Sequence, residues 1–335
     1  NSLMPQRWHV VYYALLAVEK LFRGSSGFLL AKENGSDIIQ CCWKVAGLML
    51  HSHSWVRALC GRIFGLCFSS LKNPKELNSS RTTALPVYQF LSVPGLGWLL
   101  ARRFCLQLKS MFLSAADGQQ VVRNLLFLCV GLYFNEDLHE KASLPLSKEH
   151  ERVFHIPAQS RKELVDKETD ENGDSDDEPL DSKNDYQVVH WTFRTLSFTA
   201  RRLFNQEQTI GNILKFYAGM VTQLPSEDYV PFLIPVVSPL YHALTIGNPE
   251  SDVYKLADDV SELIKQKVGM ETYLKAYQTI RKNVEKAKLR KRTERKQEMI
   301  LDPQRAIKQK QKQNLKSREN RKKKISQRRG RISIP

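Results

Sequence analysis

The residues of this chain best placed to do chemistry are its C-terminal lysines and arginines, and the chemistry is neutralisation of a polyanion. Residues 281–331 hold 22 Lys and Arg against five acidic residues, a net +17, while the whole chain of 335 residues is +16. A nearly neutral body therefore carries a dense polycation, and nucleic acid is the commonest polyanion such a segment meets. The candidate RNA-binding residues are Lys286, Lys288, Arg290, Lys291, Arg292, Arg295 and Lys296, then Lys308, Lys310 and Lys312, then Arg321, Lys322, Lys323, Lys324, Arg328 and Arg329. Lys and Arg at phosphates release counterions, so binding is strong, salt-sensitive and weakly sequence-selective; with roughly 6–8 phosphates met, log affinity falls against log salt with a slope near −5 to −7. Tyr277 is the nearest aromatic, so base stacking is not expected of this tail, and backbone or groove tracking on structured RNA fits it better. The runs 288–292 and 321–324 also suit nuclear import or nucleolar retention. The plainer alternative is a solvated charge face with no fixed partner.

Other chemistries find little support. Gly95-Leu96-Gly97 after Pro94 reads as a turn, and neither a Walker loop nor a Gly-x-Ser-x-Gly elbow occurs. His51 and His53 precede Cys60 at a spacing that fits no zinc pattern, and histidines at the surface between helices are the expected role. The six cysteines lie in the first 130 residues within apolar stretches and without a Cys-x-x-Cys pair, which predicts free buried thiols rather than a secreted disulfide framework. Residues 163–185 carry 11 acidic residues against two lysines. Such a segment buries too little to offset its ordering entropy, so 157–186 reads as an acidic disordered insertion. Ser175, followed by Asp176-Asp177-Glu178, is a candidate site for an acid-directed kinase; an unmodified solvated loop is the alternative. No catalytic residue, metal ligand, cofactor or small-molecule substrate is expected, and no signal peptide is evident at the N-terminus.

The elements that must position the tail read as helices throughout. Expected helices run over about 8–22, 37–51, 55–70, 96–114 and 119–134, with Ser36-Asp37 and Ser54 as starts and Asp117-Gly118 as a turn. Val121-Val122, Leu125-Leu126 and Leu128-Cys129-Val130 cover most of one circumference, as in a helix buried on two sides. Helices resume at 187–204, which is aromatic-rich (Trp191, Phe193, Phe198, Phe204), then 209–224 and 252–267, the last capped by Ser251 or Asp252. Residues 229–249 are 21 without a charge, long enough to cross a bilayer, but Pro231, Pro235, Pro239 and Pro249 argue for a buried, kinked helix and no membrane partner. Hairpins of such helices every 40–47 residues predict an all-α, HEAT-like α-solenoid. Val56-Arg57 and Val122-Arg123 echo each other near two helix starts, at a spacing of 66 that is not one repeat. Glu271 to Ile300, free of Gly and Pro, predicts a long basic helix. Its first three turns should pack on the body and the rest project; a second, shorter helix starts near Pro303, and 318–331 is expected to be extended or disordered until bound. The organisation expected is a helical array over 1–156, the insertion over 157–186, a continuing array over 187–268 and a basic extension over 269–335.

Val268-Gly269-Met270-Glu271-Thr272-Tyr273-Leu274, Tyr277, Arg281-Lys282-Asn283-Val284 and Lys288-Leu289-Arg290-Lys291-Arg292 carry a resemblance. This segment resembles the C-terminal end of the small-subunit processome component twenty homologs, a family of very large HEAT-repeat nucleolar proteins. The close likeness covers about 260–331; residues 187–250 are compatible with it, and 1–156 shares only a helical-array character. The resemblance implies a non-catalytic scaffold for 18S rRNA maturation, in the nucleus and nucleolus. Implied partners are pre-rRNA, the box C/D small nucleolar ribonucleoprotein, other processome proteins and nuclear import receptors. It implies also that the chain is the C-terminal piece of a longer solenoid. The competing expectation is a nuclear HEAT-repeat protein–protein adaptor whose basic tail is only a localisation signal.

Overall fold

The computed structural model describes residues 8–24, 27–109, 114–148 and 187–301, and beyond these 307, 311, 314, 315, 317–319 and 321. Ser175 and the acidic segment 163–185 lie outside the described residues, as do Lys308, Lys310, Lys312, Lys322, Lys323, Lys324, Arg328 and Arg329. The chain divides into two compact units, Asn1–Ile280 and Arg281–Pro335.

The first unit is all-α. Its helices are α1 (Trp8–Gly24), α2 (Gly35–Leu48), α3 (Ser54–Ser70), α4 (Ser80–Thr83), α5 (Pro86–Leu91), α6 (Leu96–Leu108), α7 (Ala115–Phe134), α8 (Glu136–Ser143), α9 (Gln187–Arg202), α10 (Glu207–Gln223), α11 (Ser226–Tyr229), α12 (Leu233–Ile246) and α13 (Asp252–Val268); the first turns of α14 (Met270–Leu301) complete it. Helices α2/α3, α6/α7, α9/α10 and α12/α13 form antiparallel hairpins that stack in two rows. One row runs α1–α3–α7–α10–α13, and the other runs α6–α9–α12, joined to α2 through side chains of α6. This is an α-solenoid: each hairpin buries both faces against its neighbours, which is why the apolar residues of α7 cover most of its circumference. Val121, Val122, Leu125, Leu128, Cys129 and Val130 are all buried.

The repeat phase differs from the expectation. Val56 and Val122 lie on α3 and α7, the second helices of consecutive hairpins, so their spacing is one repeat enlarged by an insert. The insert is a 3₁₀ turn (Pro74–Glu76) with α4 and α5, in a stretch read only as a break after Asn73-Pro74. The later hairpins start at Gln187 and Leu233, 46 residues apart and within the expected interval.

Two boundaries shift for local reasons. Helix α7 starts at Ala115, and Asp117-Gly118 lies inside it rather than forming a turn. Ser114 Oγ accepts from the Asp117 amide at 3.1 Å, which caps the helix, and donates to the Asp117 carboxylate at 2.6 Å, which holds the hydroxyl in place. Gly118 is needed there for space: a Cβ would collide with the Asn212 side-chain amide of α10. In α2 the first residue is Gly35, and Asn34 rather than Ser36 occupies the cap position.

The uncharged segment is three pieces: α11, a 3₁₀ turn Val230–Phe232 containing Pro231, and α12. Ser226–Ile246 is long and apolar enough to cross a membrane by length and composition. In the fold, Leu233, Val236, Val237, Leu240 and Ala243 are buried, with α12 packed on α9 and α13. Pro235 falls in the first turn, where no helical bond is lost, and only Pro239 is interior.

All six cysteines are free thiols, five of them buried and Cys41 half-buried, as expected of a reducing compartment. Burial raises the pKa of Cys41 to about 11 and that of Cys60 to about 12. His51 and His53 sit at the surface turn before α3, with Trp8 stacked on the His53 ring at 3.8 Å, while Cys60 points into the core.

Helix α6 is tied to α2 and to the start of α3 by a polar clamp. Arg103 Nη1 donates to the carbonyls of Ala46 (2.8 Å) and Gly47 (3.2 Å) at the C-terminal end of α2. Gln107 Nε2 donates to Met49 O (2.9 Å) and Arg57 O (3.3 Å). The Ala46 and Gly47 carbonyls are among the last four of α2, which have no partner one turn on within the helix, and a cation there also meets the negative end of the helix dipole. Burial lowers the Arg103 pKa to about 10, so it stays charged at neutral pH. Arg103→Met is expected to cost about 2–4 kcal/mol, since it strands buried acceptors while keeping the side-chain volume. Urea denaturation should report it as a lower midpoint, and an unchanged midpoint would dismiss the clamp.

Candidate nucleic-acid interface

The basic segment starts from a hinge made by a glycine. Gly269 has φ +86°, a left-handed region that a side chain resists, and its amide donates to Lys265 O at 3.0 Å to close α13. Helix α14 follows at once, and its 32 residues run unbroken from Met270 to Leu301, close to the expected bounds.

The first turns of α14 are anchored within the first unit. Tyr273, Ala276 and Ile280 are buried at helical spacing, and Tyr277 meets Tyr241 of α12 edge-on at 5.2 Å. Lys265 Nζ lies 5.3 Å over the Tyr273 ring. Burial raises the Tyr273 pKa, while a Ser261 hydrogen bond and the Lys265 charge oppose the shift. The anchor expected from the fading apolar pattern is therefore present. The second unit begins at Arg281, the residue where the charge excess begins.

From Arg281 to Leu301 the helix holds nine Lys and Arg against three Glu over roughly 30 Å. Two glutamates are engaged along the helix: Arg281 Nε lies 3.1 Å from Glu285, and Arg290 Nε lies 3.5 Å from Glu294. Among the candidate residues Lys286, Lys288, Lys291, Arg292 and Lys296 are exposed, and Arg290 is half-buried. Their positions on a helix spread around the whole circumference instead of forming one stripe. Leu289, Ile300 and Leu301 are exposed as well, so this stretch has no apolar face of its own. A helix polar all round gains little from packing, and its cations are presented in every direction. That arrangement can neutralise phosphates without aligning to any one base sequence.

The described residues beyond it, Ile307, Gln311, Asn314, Leu315, Ser317, Arg318, Glu319 and Arg321, are helical. The break expected at Asp302-Pro303 lies outside the described residues, and the helical residues reach past Arg318, where an extended or disordered end was expected. Gln311, Leu315, Arg318, Glu319 and Arg321 are good helix formers, which explains the continuation.

Residues 180–327 match the family model described as "Small subunit processome component 20 homolog, C-terminal". This part of the chain is similar to the C-terminal region of that family. The match takes in α9 to α14 and the helical residues after it, so it reaches well upstream of the segment whose residues carried the likeness. The family is that of a small-subunit processome component, a part of ribosome biogenesis and rRNA processing. It covers both the anchor and the basic stretch, so the junction at Arg281 is internal to the family's domain.

Proposed function

We propose that this chain acts as a non-catalytic scaffold of the small-subunit processome, in the nucleolus. Its stacked hairpins hold assembly factors and the small nucleolar ribonucleoprotein, and its basic helices bind pre-rRNA during 18S maturation. The observation that carries the reading is the coincidence at Arg281. A compact unit begins there, the charge excess begins there, and α14 presents cations around its full circumference from that residue on. Polyelectrolyte binding needs charge density on a helix more than it needs a shaped pocket. The same basic runs serve import receptors before assembly.

The test is a chain ending at Ile280, which keeps the whole first unit. It is expected to lose salt-sensitive binding to pre-rRNA and nucleolar retention while keeping its helical circular dichroism per residue. Undiminished RNA affinity together with nucleolar localisation would remove the tail from the function and leave a protein adaptor.

A further inference from the structure

We infer a second nucleic-acid contact, on the α6–α9 face of the first unit, where Trp98 and Trp191 stack the unpaired bases of single-stranded RNA and the surrounding arginines hold its phosphates. The contact is separate from the basic tail and does not depend on the reading of that tail.

Three observations carry it. First, α6, α9 and α12 contain no Asp or Glu, and their charged residues are Arg102, Arg103, Arg194, Arg201 and Arg202. Arg103 donates to the α2 carbonyls; Arg102 and Arg194 are partly exposed, and Arg201 and Arg202 are exposed. Second, the rings of Trp98 and Trp191 meet across the α6–α9 seam at 5.7 Å, tilted by 48°, and both are partly exposed. Third, cations already sit on the rings: Arg102 Cζ is 5.5 Å over Trp98, and Arg202 Cζ is 5.9 Å over Phe198. On α9, positions 191, 194, 198, 201 and 202 fall along one side, so rings and guanidinium groups alternate on a single surface.

The charge around this face supports an anionic occupant. His242 of α12, edge-on to Phe204 at 4.6 Å, has its pKa lowered by burial and then by Arg201, and stays neutral at pH 7. The carboxylates of packed elements are Glu136, Asp137 and Glu140 on α8, Asp117 on α7, Glu207 on α10, and Asp252, Asp258, Asp259 and Glu262 on α13, which packs on α12 and α10. Asp137 is paired with Lys141 at 2.8 Å, and Asp117 lies 3.7 Å from Arg62. An arginine over an indole is half of a stack, and a nucleobase adds a further flat face with a phosphate attached. A duplex keeps its bases inside and offers only backbone, so rings set at this seam select unpaired RNA. The tail lacks aromatics and makes the opposite choice, reading charge without bases.

The test uses the full chain and an oligouridine carrying 4-thiouridine, photo-cross-linked at about 0.3 M salt to suppress the tail's contribution. Adducts are expected in the peptides bearing Trp98 and Trp191. Trp98→Leu with Trp191→Leu should abolish them and weaken oligouridine binding about 10- to 100-fold, leaving affinity for an RNA duplex unchanged. Arg102→Gln with Arg194→Gln retains both rings and should also weaken oligouridine binding, so the inference does not hang on a variant that disturbs the seam. Glutamine at the tail lysines should do the reverse, losing duplex affinity and keeping the tryptophan adducts. Adducts confined to 281–335, or wild-type oligouridine affinity in both face variants, would overturn the inference and leave the tail reading intact. Protection of these tryptophans by an acidic peptide and not by oligouridine would make the face a protein contact and overturn it equally.

Discussion

Replacing Lys286, Lys288, Lys291, Arg292 and Lys296 together by Gln is expected to reduce the slope of log affinity against log salt by about 4 to 5, on duplex RNA in the full chain. Each cation removed from a phosphate contact lowers the slope by roughly 0.9. At about 0.2 M salt the variant should bind about 10³-fold more weakly than the parent, and the two should converge towards 1 M. Gln preserves helix propensity, and the Arg281–Glu285 and Arg290–Glu294 pairs are untouched, so α14 should stay folded. Because the five side chains are exposed and spread around the helix, the loss should be divided about evenly among single variants, with no hot spot. Fluorescence anisotropy across a salt titration measures all of this. A parental slope in the five-fold variant would mean that the helix is a solvated charge face.

The largest effect on stability is expected at Phe193. Its ring is fully buried where α9 meets α10 and the proline-bearing segment, stacked on Phe232 at 4.6 Å and on Tyr217 at 5.6 Å, with Tyr229 edge-on at 6.2 Å. Phe193→Ala removes the ring from the centre of that cluster, and the rigid neighbours leave a cavity, for a loss of about 4 kcal/mol. That is a large fraction of the roughly 5–15 kcal/mol typical of a whole protein. The Tyr217 hydroxyl still finds its acceptor, because it donates to the Phe193 carbonyl at 3.2 Å and not to the side chain. Phe198→Ala, on the partly exposed side of the same helix, should cost much less, which makes it the matched control. Urea denaturation followed by circular dichroism separates them; equal midpoints for the two variants would remove Phe193 from the centre of the core.

Helix-by-helix, much of this was legible from local signals. Ser251 accepts from the Tyr254 amide at 3.2 Å as its position suggested, Gly269 ends α13, and Met270–Leu301 is helical where strong helix formers run without Gly or Pro. The errors also have local causes. Asp117-Gly118 resembles a turn as a dipeptide, and only the Ser114 hydroxyl three residues before Asp117 turns it into a helix start. In 71–95 the short helices α4 and α5 carry too few turns to show a period, so a break was all that stood out.

The amino-acid sequence by itself determined the class of the fold and the site of the charge excess. Each of these rests on composition or spacing within a few turns, where propensity, capping and charge density act without reference to the rest of the chain. Only the tertiary structure decided the stacking of the hairpins, and with it which residues meet. It made α3 and α7 neighbours across an insert, gave Arg103 the carbonyls of a helix more than 50 residues away, and set Trp98 against Trp191 on an arginine-bearing surface. Aromatic residues at helical spacing look alike whether they are core or surface. Burial of Phe193 and exposure of Trp191, two residues apart on one helix, follow from where α6, α10 and α12 pack, and that is a property of the assembled array.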